Sequence, residues 1–391
     1  MKSVGIVTMH KVLNYGSALQ AYALQRKIDE LGFKATIIDY LYPNKFHCER
    51  QKIPYYPKKS MARFAAMALL GLLVKLLRIS SRQKKANAAI KRFFQQRAFR
   101  SFYQKYFNLS REYASAESLG QIHEKFDIYM TGSDQVWNPQ YMVGDTNFLL
   151  GFAPRNALKC SYAASFSGKD VPDEMQPLYR KFLEQYQFIS VREKSASNVV
   201  EKLIGKAPEV VCDPTLLLNR DEWTRLCVDR PLVNGKYLLV YILHYSFDPY
   251  PSILSLVDKL ARERNLKVVV LHGLKDGYSI ENSISFDSIG PLEFLRLFRD
   301  ASLVVTTSFH GTAFALNFAR DFYSVIKRKD GSDNRIADFL SVCGAEHHLV
   351  EMNDLEKLQE SSVTAIESEK LMEFRDRSIA YLREKLMNVS Q

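Results

Sequence analysis

The chain has 391 residues, of which 47% are hydrophobic and 25% are charged, a balance typical of globular proteins that excludes an extensively disordered chain. The length predicts two domains, and the five widely spaced cysteines, which form no Cys-x-x-Cys pair, argue against a disulfide framework and a structural zinc site. The net charge of +11 is high enough to keep a nucleic-acid or membrane partner under consideration.

The first part of the sequence predicts a doubly wound parallel sheet. Residues 3–8 predict a buried strand, residues 14–32 a loop and a helix that ends at Gly32, and residues 34–40 a second strand. This succession of strand, helix and strand is typical of a βαβ unit. The alternation continues with predicted strands at 126–132, 160–166, 188–193 and 208–214 and a predicted helix at 194–204.

The positive charge is concentrated in one segment. Between Arg50 and Arg111 there are 16 Lys and Arg and no Asp or Glu, so the rest of the chain carries a small net negative charge. We predict two basic helices here, over 61–79 and 83–107. They form either a helical excursion packed on the first domain or an amphipathic anchor on anionic lipid. We favour the membrane surface, and we predict no nucleic-acid partner because no recognised binding motif accompanies the charge.

The second part of the sequence repeats the alternation after a polar boundary at 229–236. Strands are predicted at 236–244, 266–273, 302–308 and 321–326, and helices at 251–264, 291–300, 311–319, 334–343 and 367–387. We therefore expect an α/β fold with two Rossmann-like, doubly wound halves and a basic helical insert. The expected domains are 1–228, with the insert at about 50–111, and 236–345, followed by a helical tail, 346–391, that packs back across the boundary.

Polar residues at the ends of the predicted strands are candidates for a binding site, because doubly wound sheets bind ligands there, near helix N-termini. His310 is the strongest candidate, since it joins a β-branched apolar strand to the start of a helix whose free N–H groups favour an anion. For Asn14-Tyr15-Gly16 a simple helix-entry turn is an equally good explanation. Asp213-Pro214-Thr215 is better explained as a structural turn.

Five sequence blocks occur in order over roughly residues 3–42 and 125–345: NYG with ALQAYALQ, TGSDQVWNP, SVRE, CDPTLLL and SFHGTAFAL. Together they resemble the polysaccharide pyruvyl transferase family. The resemblance implies transfer of pyruvate from phosphoenolpyruvate to two hydroxyls of a sugar, giving a cyclic ketal on a bacterial surface glycan or its lipid-linked precursor. The two halves with a returning terminal helix are similar to a glycosyltransferase-B-type fold.

The resemblance also implies roles for individual residues. Arg192 of SVRE would hold an anionic group of phosphoenolpyruvate, and His310 of SFHG would act as acid and base. Some members have an arginine where this chain has Ser308, and we take Arg335 as the candidate replacement. The predicted catalytic residues are His310 and Asp134. The predicted substrate-binding residues are Asn14, Tyr15, Gly16, Ser133, Gln135, Asn138, Arg192, Ser308, Gly311, Thr312 and Arg335.

Two other functions fit the same pattern: a nucleotide-sugar glycosyltransferase of the same fold, and a non-catalytic membrane-associated scaffold. No cluster of His, Asp or Glu has the spacing of a metal site, so we predict neither a metal nor a cofactor, with phosphoenolpyruvate as the donor substrate. The expected partners are this donor, a lipid-linked sugar acceptor and an anionic membrane surface. The start of the chain lacks a signal-peptide pattern, and the apolar stretch 65–74 is about half of a spanning helix. We therefore expect a cytoplasmic protein, peripheral at the inner face of the plasma membrane.

Overall fold

The computed structural model describes residues 1–52, 80–244, 246–328, 335–357 and 369–388, with the backbone alone at 80–89. The predicted helix at 61–79 and the apolar stretch 65–74 lie outside these residues. The described strands are β1 (Ser3–Val7), β2 (Lys34–Tyr40), β3 (Leu109–Tyr113), β4 (Ile128–Thr131), β5 (Leu158–Ser161), β6 (Ser190–Val191), β7 (Glu209–Val210), β8 (Tyr237–Tyr241), β9 (Lys267–Leu271), β10 (Ile284–Phe286), β11 (Leu303–Thr306), β12 (Asp321–Ile326) and β13 (Leu349–Glu351).

The described α-helices connect these strands and extend beyond them. They are α1 (Tyr15–Glu30), α2 (Lys45–Arg50), α3 (Ser80–Tyr106), α4 (Ala116–Gly120), α5 (Pro139–Met142), α6 (Gln176–Leu183), α7 (Lys194–Ile204), α8 (Arg220–Thr224), α9 (Ser252–Glu263), α10 (Pro291–Asp300), α11 (Phe309–Asn317), α12 (Arg335–Val342) and α13 (Glu369–Asn388). Among the described helices, none combines the length and the apolar character needed to cross a bilayer.

The upstream half contains a five-stranded parallel sheet in the order β3-β2-β1-β4-β5. From β1 the chain adds β2 and β3 on one side of the sheet and then β4 and β5 on the other. The strand order therefore reverses between β1 and β4. Ligand sites of doubly wound sheets form outside the carboxyl ends of the strands at this point. The predicted βαβ unit at the start of the chain is confirmed.

Beyond β5, the upstream sheet becomes irregular. The predicted strand at 160–166 ends at Ser161, because Ala163 has a left-handed φ of 53° that interrupts the extended backbone. Single bridges, Cys160 to Phe188 and Ala164 to Val191, carry the pairing on to the short β6. The predicted strands at 188–193 and 208–214 are therefore reduced to two paired residues each.

The downstream half contains a six-stranded parallel sheet in the order β10-β9-β8-β11-β12-β13. Its central strands β8 and β11 are completely buried, as their continuous apolar sequences predict. The short edge strands β10 and β13 were not predicted, because each has only three residues and no run of buried apolar side chains. The prediction of an α/β fold with two Rossmann-like halves is confirmed.

The two halves share one hydrophobic core across the boundary. The Tyr15 ring at the start of α1 stacks on Phe294 of α10 with 4.7 Å between ring centroids. Phe99 of α3 lies 5.2 Å from the same tyrosine ring. Where α3 meets the downstream half, a Cβ added to Gly290 would lie 2.9 Å from the Ala98 Cβ. Helix α3 therefore packs on both halves, between α1 and α10.

Helix α3 forms most of the described part of the basic segment, and it combines packed aromatic residues with exposed basic residues. Phe99, Phe102 and Tyr103 are buried, so this part of the segment is a packed excursion. Arg92, Arg97 and Arg100 of the same helix are exposed.

The terminal helix α13 contacts both halves. The Arg375 guanidinium donates to the Leu216 carbonyl oxygen of the upstream half at 2.6 Å and to the Asn317 side chain of α11 at 2.8 Å. The Ser378 hydroxyl accepts from the Cys212 N–H at 3.0 Å. These bonds fix α13 beside the loop that follows β7.

Candidate active site in the cleft between the halves

A cleft of about 260 Å³ lies between the halves at the carboxyl ends of both sheets. Residues that follow β1, β4 and β6 line it from the upstream half, and residues that follow β8 and β11 line it from the downstream half. Seven of the thirteen predicted site residues line this cleft: Asn14, Asp134, Gln135, Arg192, Ser308, His310 and Arg335.

His310 lies in the first turn of α11 and is almost fully buried, with 8% of its surface exposed. Ser308 caps this helix, because its hydroxyl accepts from the Gly311 N–H at 3.2 Å. The His310 Nε2 atom lies 3.5 Å from Asp213 Oδ2 and has no hydrogen-bond partner among the described residues. The imidazole therefore sits at a helix N-terminus, where an anion is favoured, beside a carboxylate.

Gly16 permits a close contact between the two halves at His310. A Cβ added to Gly16 would lie only 2.0 Å from the His310 Nδ1 atom. Since real Cβ atoms do not approach other atoms this closely, any side chain at this position would displace the imidazole. The glycine of the NYG block therefore lets the start of α1 pack directly against the His310 ring.

Asp213 is a site residue that the sequence analysis assigned to a structural turn. Its Oδ1 atom does cap a turn, since it accepts from the Thr215 N–H and hydroxyl at 2.9 and 2.8 Å. Its Oδ2 atom accepts from Arg192 Nη1 at 3.0 Å and from the Ser133 hydroxyl at 3.4 Å, and it also faces His310. One buried carboxylate therefore joins the predicted arginine to the predicted histidine.

The Asp213 carboxylate stays ionised in this position. Burial raises the pKa of the Asp213 carboxyl, but the charges of His310 and Arg192 and the bonds from Thr215 outweigh it and hold that pKa well below its usual range. Asp213 thus supplies a fixed negative charge beside the imidazole.

Arg192 is buried among acidic and aromatic groups. Besides its bond to Asp213, its Nε atom lies 3.4 Å from Glu193 Oε2, and its guanidinium carbon lies 4.4 Å from the centroid of the Phe309 ring. Burial lowers the pKa of Arg192, but Glu193 and Asp213 together raise it above its ordinary value. Arg192 is therefore a permanently charged, rigidly held group at the cleft wall.

Arg335 is the first residue of α12 and lies almost buried in the same cleft. Its charge counts among the influences that lower the pKa of Arg192, so the two guanidinium groups are near enough to interact. The structure thus brings two arginines and His310 to one cleft. That Arg335 replaces the arginine absent at Ser308 stays a prediction.

Asp134 follows β4 in a left-handed conformation, with φ of 76°. This conformation is uncommon outside glycine and persists where the surrounding structure enforces it. The Asp134 carboxylate accepts from the Ser17 hydroxyl and from the Gln135 N–H, and Asn14 accepts from the Ser17 N–H at 3.2 Å. Ser17, which the sequence analysis did not single out, therefore ties the start of α1 to the loop after β4.

Three other predicted residues support the cleft without lining it. Ser133 binds Asp213, as described above. Asn138 caps α5 and donates to the Gln135 side chain at 3.0 Å. Thr312 donates to the Ser308 carbonyl oxygen at 3.0 Å and contacts the Ser324 hydroxyl at 2.6 Å. Their polar groups are used in bonds that hold the lining residues in place.

Two further predicted residues have packing contacts instead of a place in the cleft. The Tyr15 ring lies in the shared core, 1% exposed, and its hydroxyl donates to the Ile289 carbonyl oxygen at 3.3 Å. Its position does not support the predicted role in orienting substrate, because aromatic rings enclose it. A Cβ on Gly311 would lie 2.4 Å from the Thr306 hydroxyl, so this glycine lets α11 start close to β11.

Within the described ranges, no group of three or more His, Cys, Asp or Glu side chains is arranged to hold a metal ion. The polar groups of the cleft instead form the arginine, histidine and carboxylate arrangement described above. Such an arrangement can hold anions and move protons.

Comparisons with known proteins bear on both the family and the fold. The family model for polysaccharide pyruvyl transferase matches residues 14–326. No curated protein matches the chain. Among solved structures, S. aureus MnaA, determined with UDP, is similar over 100% of this chain and 98% of its own, at 11% identity and a TM-score of 0.53. A Listeria monocytogenes protein described as a UDP-N-acetylglucosamine 2-epimerase is similar over 99% and 97%, at 10% identity and a TM-score of 0.51. These likenesses show a glycosyltransferase-B-type fold.

Proposed function

The chain belongs to the polysaccharide pyruvyl transferase family, and on this premise we propose that it transfers pyruvate from phosphoenolpyruvate to two hydroxyls of one sugar. The product is a cyclic ketal on a bacterial surface polysaccharide or its lipid-linked precursor. The observation that carries the proposal is the group of Arg192, Arg335 and His310 in one cleft at the start of α11.

The donor suits this group of residues because phosphoenolpyruvate carries a carboxylate and a phosphate. Guanidinium groups bind both anions in a forked geometry, and a helix N-terminus adds a favourable field. Arg192 keeps its charge and direction through Asp213 and Glu193.

The reaction begins with proton transfer from the His310 imidazolium to the methylene carbon of the donor, which leaves His310 neutral and makes the neighbouring carbon cationic. One sugar hydroxyl adds to that carbon and loses its proton to Asp134. Phosphate then leaves with the electrons of its C–O bond and takes the proton from Asp134. The second hydroxyl adds to the same carbon, returns its proton to the now neutral His310 and closes the ketal. Asp213 faces Nε2 at 3.5 Å and would stabilise the charged imidazole between these proton transfers.

A donor screen by thermal shift tests the proposal. Phosphoenolpyruvate at 100 times its Kd should stabilise the protein by about 2.7 kcal/mol, because it binds the folded state alone. UDP-N-acetylglucosamine should give no shift. A shift with the nucleotide sugar alone would identify a glycosyltransferase, and no shift with either compound would favour the non-catalytic scaffold.

Arg192→Ala should weaken phosphoenolpyruvate binding roughly 10- to 150-fold, since a charge-assisted hydrogen bond contributes about 1.5–3 kcal/mol. Arg335→Ala should have an effect of the same order if Arg335 takes the place of the arginine absent at Ser308. Isothermal titration with phosphoenolpyruvate measures both.

Arg262→Ala is the matched control for these two variants, because Arg262 is an exposed arginine of α9 that pairs with Asp258. Its donor affinity should equal that of the wild type. Arg192→Lys separates charge from geometry, since lysine keeps the charge and loses the fork. Unchanged donor affinity in Arg335→Ala would remove Arg335 from the donor site.

We also propose that the exposed basic side chains of α3, Arg92, Arg97 and Arg100, contact an anionic membrane surface. Phe94, on the same helix, is 51% exposed, and an aromatic ring beside basic residues is typical of interfacial helices. A lipid-linked acceptor would be presented at such a surface.

In vesicle flotation, the protein should bind vesicles that contain phosphatidylserine and should dissociate as salt screens the attraction. Neutralising Arg92, Arg97 and Arg100 to Gln should weaken binding by roughly 10²-fold, because each charge contributes about 1 kcal/mol at such a surface. A control variant with Arg26, Lys259 and Arg262 changed to Gln has the same net charge and should still float. If the wild-type protein does not bind these vesicles at low salt, the proposed membrane contact is wrong.

A further inference from the structure

The lining of the cleft is divided into two parts of different chemistry. One part holds the cationic groups described above. A second part comes from the upstream half and consists of Tyr42, Gln51 and Tyr141, which we call the neutral wall. These side chains offer aromatic rings, an amide and phenolic hydroxyls but no ionised group. The donor, as an anion, gains little from this surface, which is therefore available for a second substrate.

The three residues of the neutral wall are bonded to one another. The Gln51 Nε2 atom donates to the Tyr141 carbonyl oxygen at 2.6 Å and approaches the Tyr42 hydroxyl at 3.5 Å. The Tyr42 hydroxyl lies at the same distance, 3.5 Å, from the Tyr141 carbonyl oxygen. Burial raises the pKa of Tyr42 to about 12, so its hydroxyl remains a neutral donor and acceptor at physiological pH.

The Tyr42 ring rests on a second, buried ring. It meets His47 edge to face, with 4.7 Å between centroids and 77° between ring planes. Phe148 contacts Tyr42 in the same manner at 6.0 Å. These contacts fix the plane of the Tyr42 ring.

His47 is itself held in a buried polar network that the proposed reaction does not use. Its Nε2 atom lies 3.1 Å from Asp145 Oδ2, and Nδ1 lies 2.9 Å from Asn44 Oδ1. The Tyr40 hydroxyl donates to the same Asp145 oxygen at 2.6 Å. The His47 and Asp145 side chains are 0% and 2% exposed. Burying such a pair is costly, and the hydrogen bonds from Tyr40 to Asp145 and between Asn44 and His47 offset part of this cost.

We propose that the neutral wall is the subsite for the sugar acceptor, and that the His47–Asp145 pair positions Tyr42 within it. A pyranose has apolar C–H faces and a polar rim of hydroxyls. Aromatic rings suit the faces, while the Gln51 amide and the tyrosine hydroxyls suit the rim, because both kinds of group donate and accept. The inference rests on the proposed function, which supplies a sugar as the second substrate.

The subsite can be tested by saturation-transfer NMR with methyl glycosides of glucose, galactose, mannose and N-acetylglucosamine, which carry no aromatic group of their own. At least one should bind the wild type in the presence of phosphoenolpyruvate. Tyr42→Ala and Tyr141→Ala should each weaken that binding roughly five- to tenfold. Tyr42→Phe keeps the ring and should lose less. Tyr278→Ala, a partly exposed tyrosine outside the cleft, is the matched control and should bind as the wild type does.

The positioning role is tested by His47→Gln and Asp145→Asn. Both should raise the glycoside Kd several-fold while the phosphoenolpyruvate Kd stays within about twofold of the wild-type value. If the pair only stabilises the fold, the variants should instead lose affinity for both the glycoside and phosphoenolpyruvate, and their melting temperatures should fall.

The assignment of the neutral wall as the sugar subsite is wrong if no methyl glycoside binds the wild type, or if Tyr42→Ala binds the glycoside with unchanged affinity. It is also wrong if uridine binds in place of the glycosides and is lost in Tyr42→Ala, since the wall would then hold a nucleoside. Failure of phosphoenolpyruvate to bind would instead refute the donor assignment. The glycoside titration, repeated without donor, judges the subsite separately.

Discussion

Replacing His310 by alanine should lower turnover by ~10²–10⁴, the usual contribution of a positioned acid or base. The residue occupies the point where the cleft, the start of α11 and the Asp213 carboxylate meet. Donor affinity should change little, because the arginines hold the anions. The rate of phosphate release from phosphoenolpyruvate in the presence of acceptor glycan measures the loss.

Two companion variants make this result specific. His310→Gln keeps a hydrogen-bonding side chain of similar size but cannot move protons, so its turnover should fall nearly as far as that of the alanine variant. His123→Ala removes an exposed histidine outside the cleft and should leave the rate unchanged. A His310→Ala enzyme with nearly full activity would exclude the residue as acid or base.

Asp213→Ala should destabilise the fold by about 3–5 kcal/mol, because removing one partner of a buried ion pair leaves the other charge uncompensated. The group that loses its partner is Arg192, which would keep only the longer contact with Glu193, and the turn cap at Thr215 would be lost as well. Urea unfolding measures the change. Asp258→Ala removes an exposed, paired carboxylate of α9 and should cost well under about 1 kcal/mol.

The same carboxylate makes stability depend on pH. The pKa of Asp213 in the folded protein lies below its unfolded value of 3.8, so the unfolded chain binds more protons between the two values. Its stabilising contribution is complete above pH 3.8 and is lost as the pH falls through the folded pKa. Asp213→Asn cannot ionise, so the stability gap between wild type and this variant should narrow in acid. A gap that stays constant down to the acid transition would contradict the ion-pair assignment.

The order of strands and helices could be predicted from the sequence because its causes are local. Buried parallel strands show as continuous apolar runs, and helix starts show as capping residues such as Asn14 and Ser308. The edge strands β3, β10 and β13 lack this signal and were not predicted. The early end of β5 follows from the left-handed Ala163, which nothing in the local sequence indicates.

A site residue could be predicted from the sequence only where its place at the end of a predicted strand indicated its role. His310 and Arg192 fall at the ends of strands, and both line the cleft. The second role of Asp213 depends on Arg192 and His310, which are distant in sequence, so the local pattern showed only the turn. Tyr15 illustrates the opposite error, because its neighbour Phe294 turns an apparent binding residue into a core residue.

The spacing of the aromatic residues in the basic segment indicates a packed helix face. Phe99, Phe102, Tyr103 and Tyr106 recur three and four residues apart, the spacing of one helix face, and all but the partly buried Tyr106 are buried against the core. That spacing predicts that this side of the helix packs against the core. The charged residues between the aromatic ones are predicted to be exposed to solvent.

The contact between Gly16 and His310 has a consequence for recombination within this family. A chimaera joined at 229–236 would take its histidine from one parent and the surface opposite the imidazole from the other. The upstream parent would have to supply a residue without a side chain at position 16, since even a methyl group there would overlap Nδ1. Exchange of halves is therefore restricted to upstream parents that have glycine at this position.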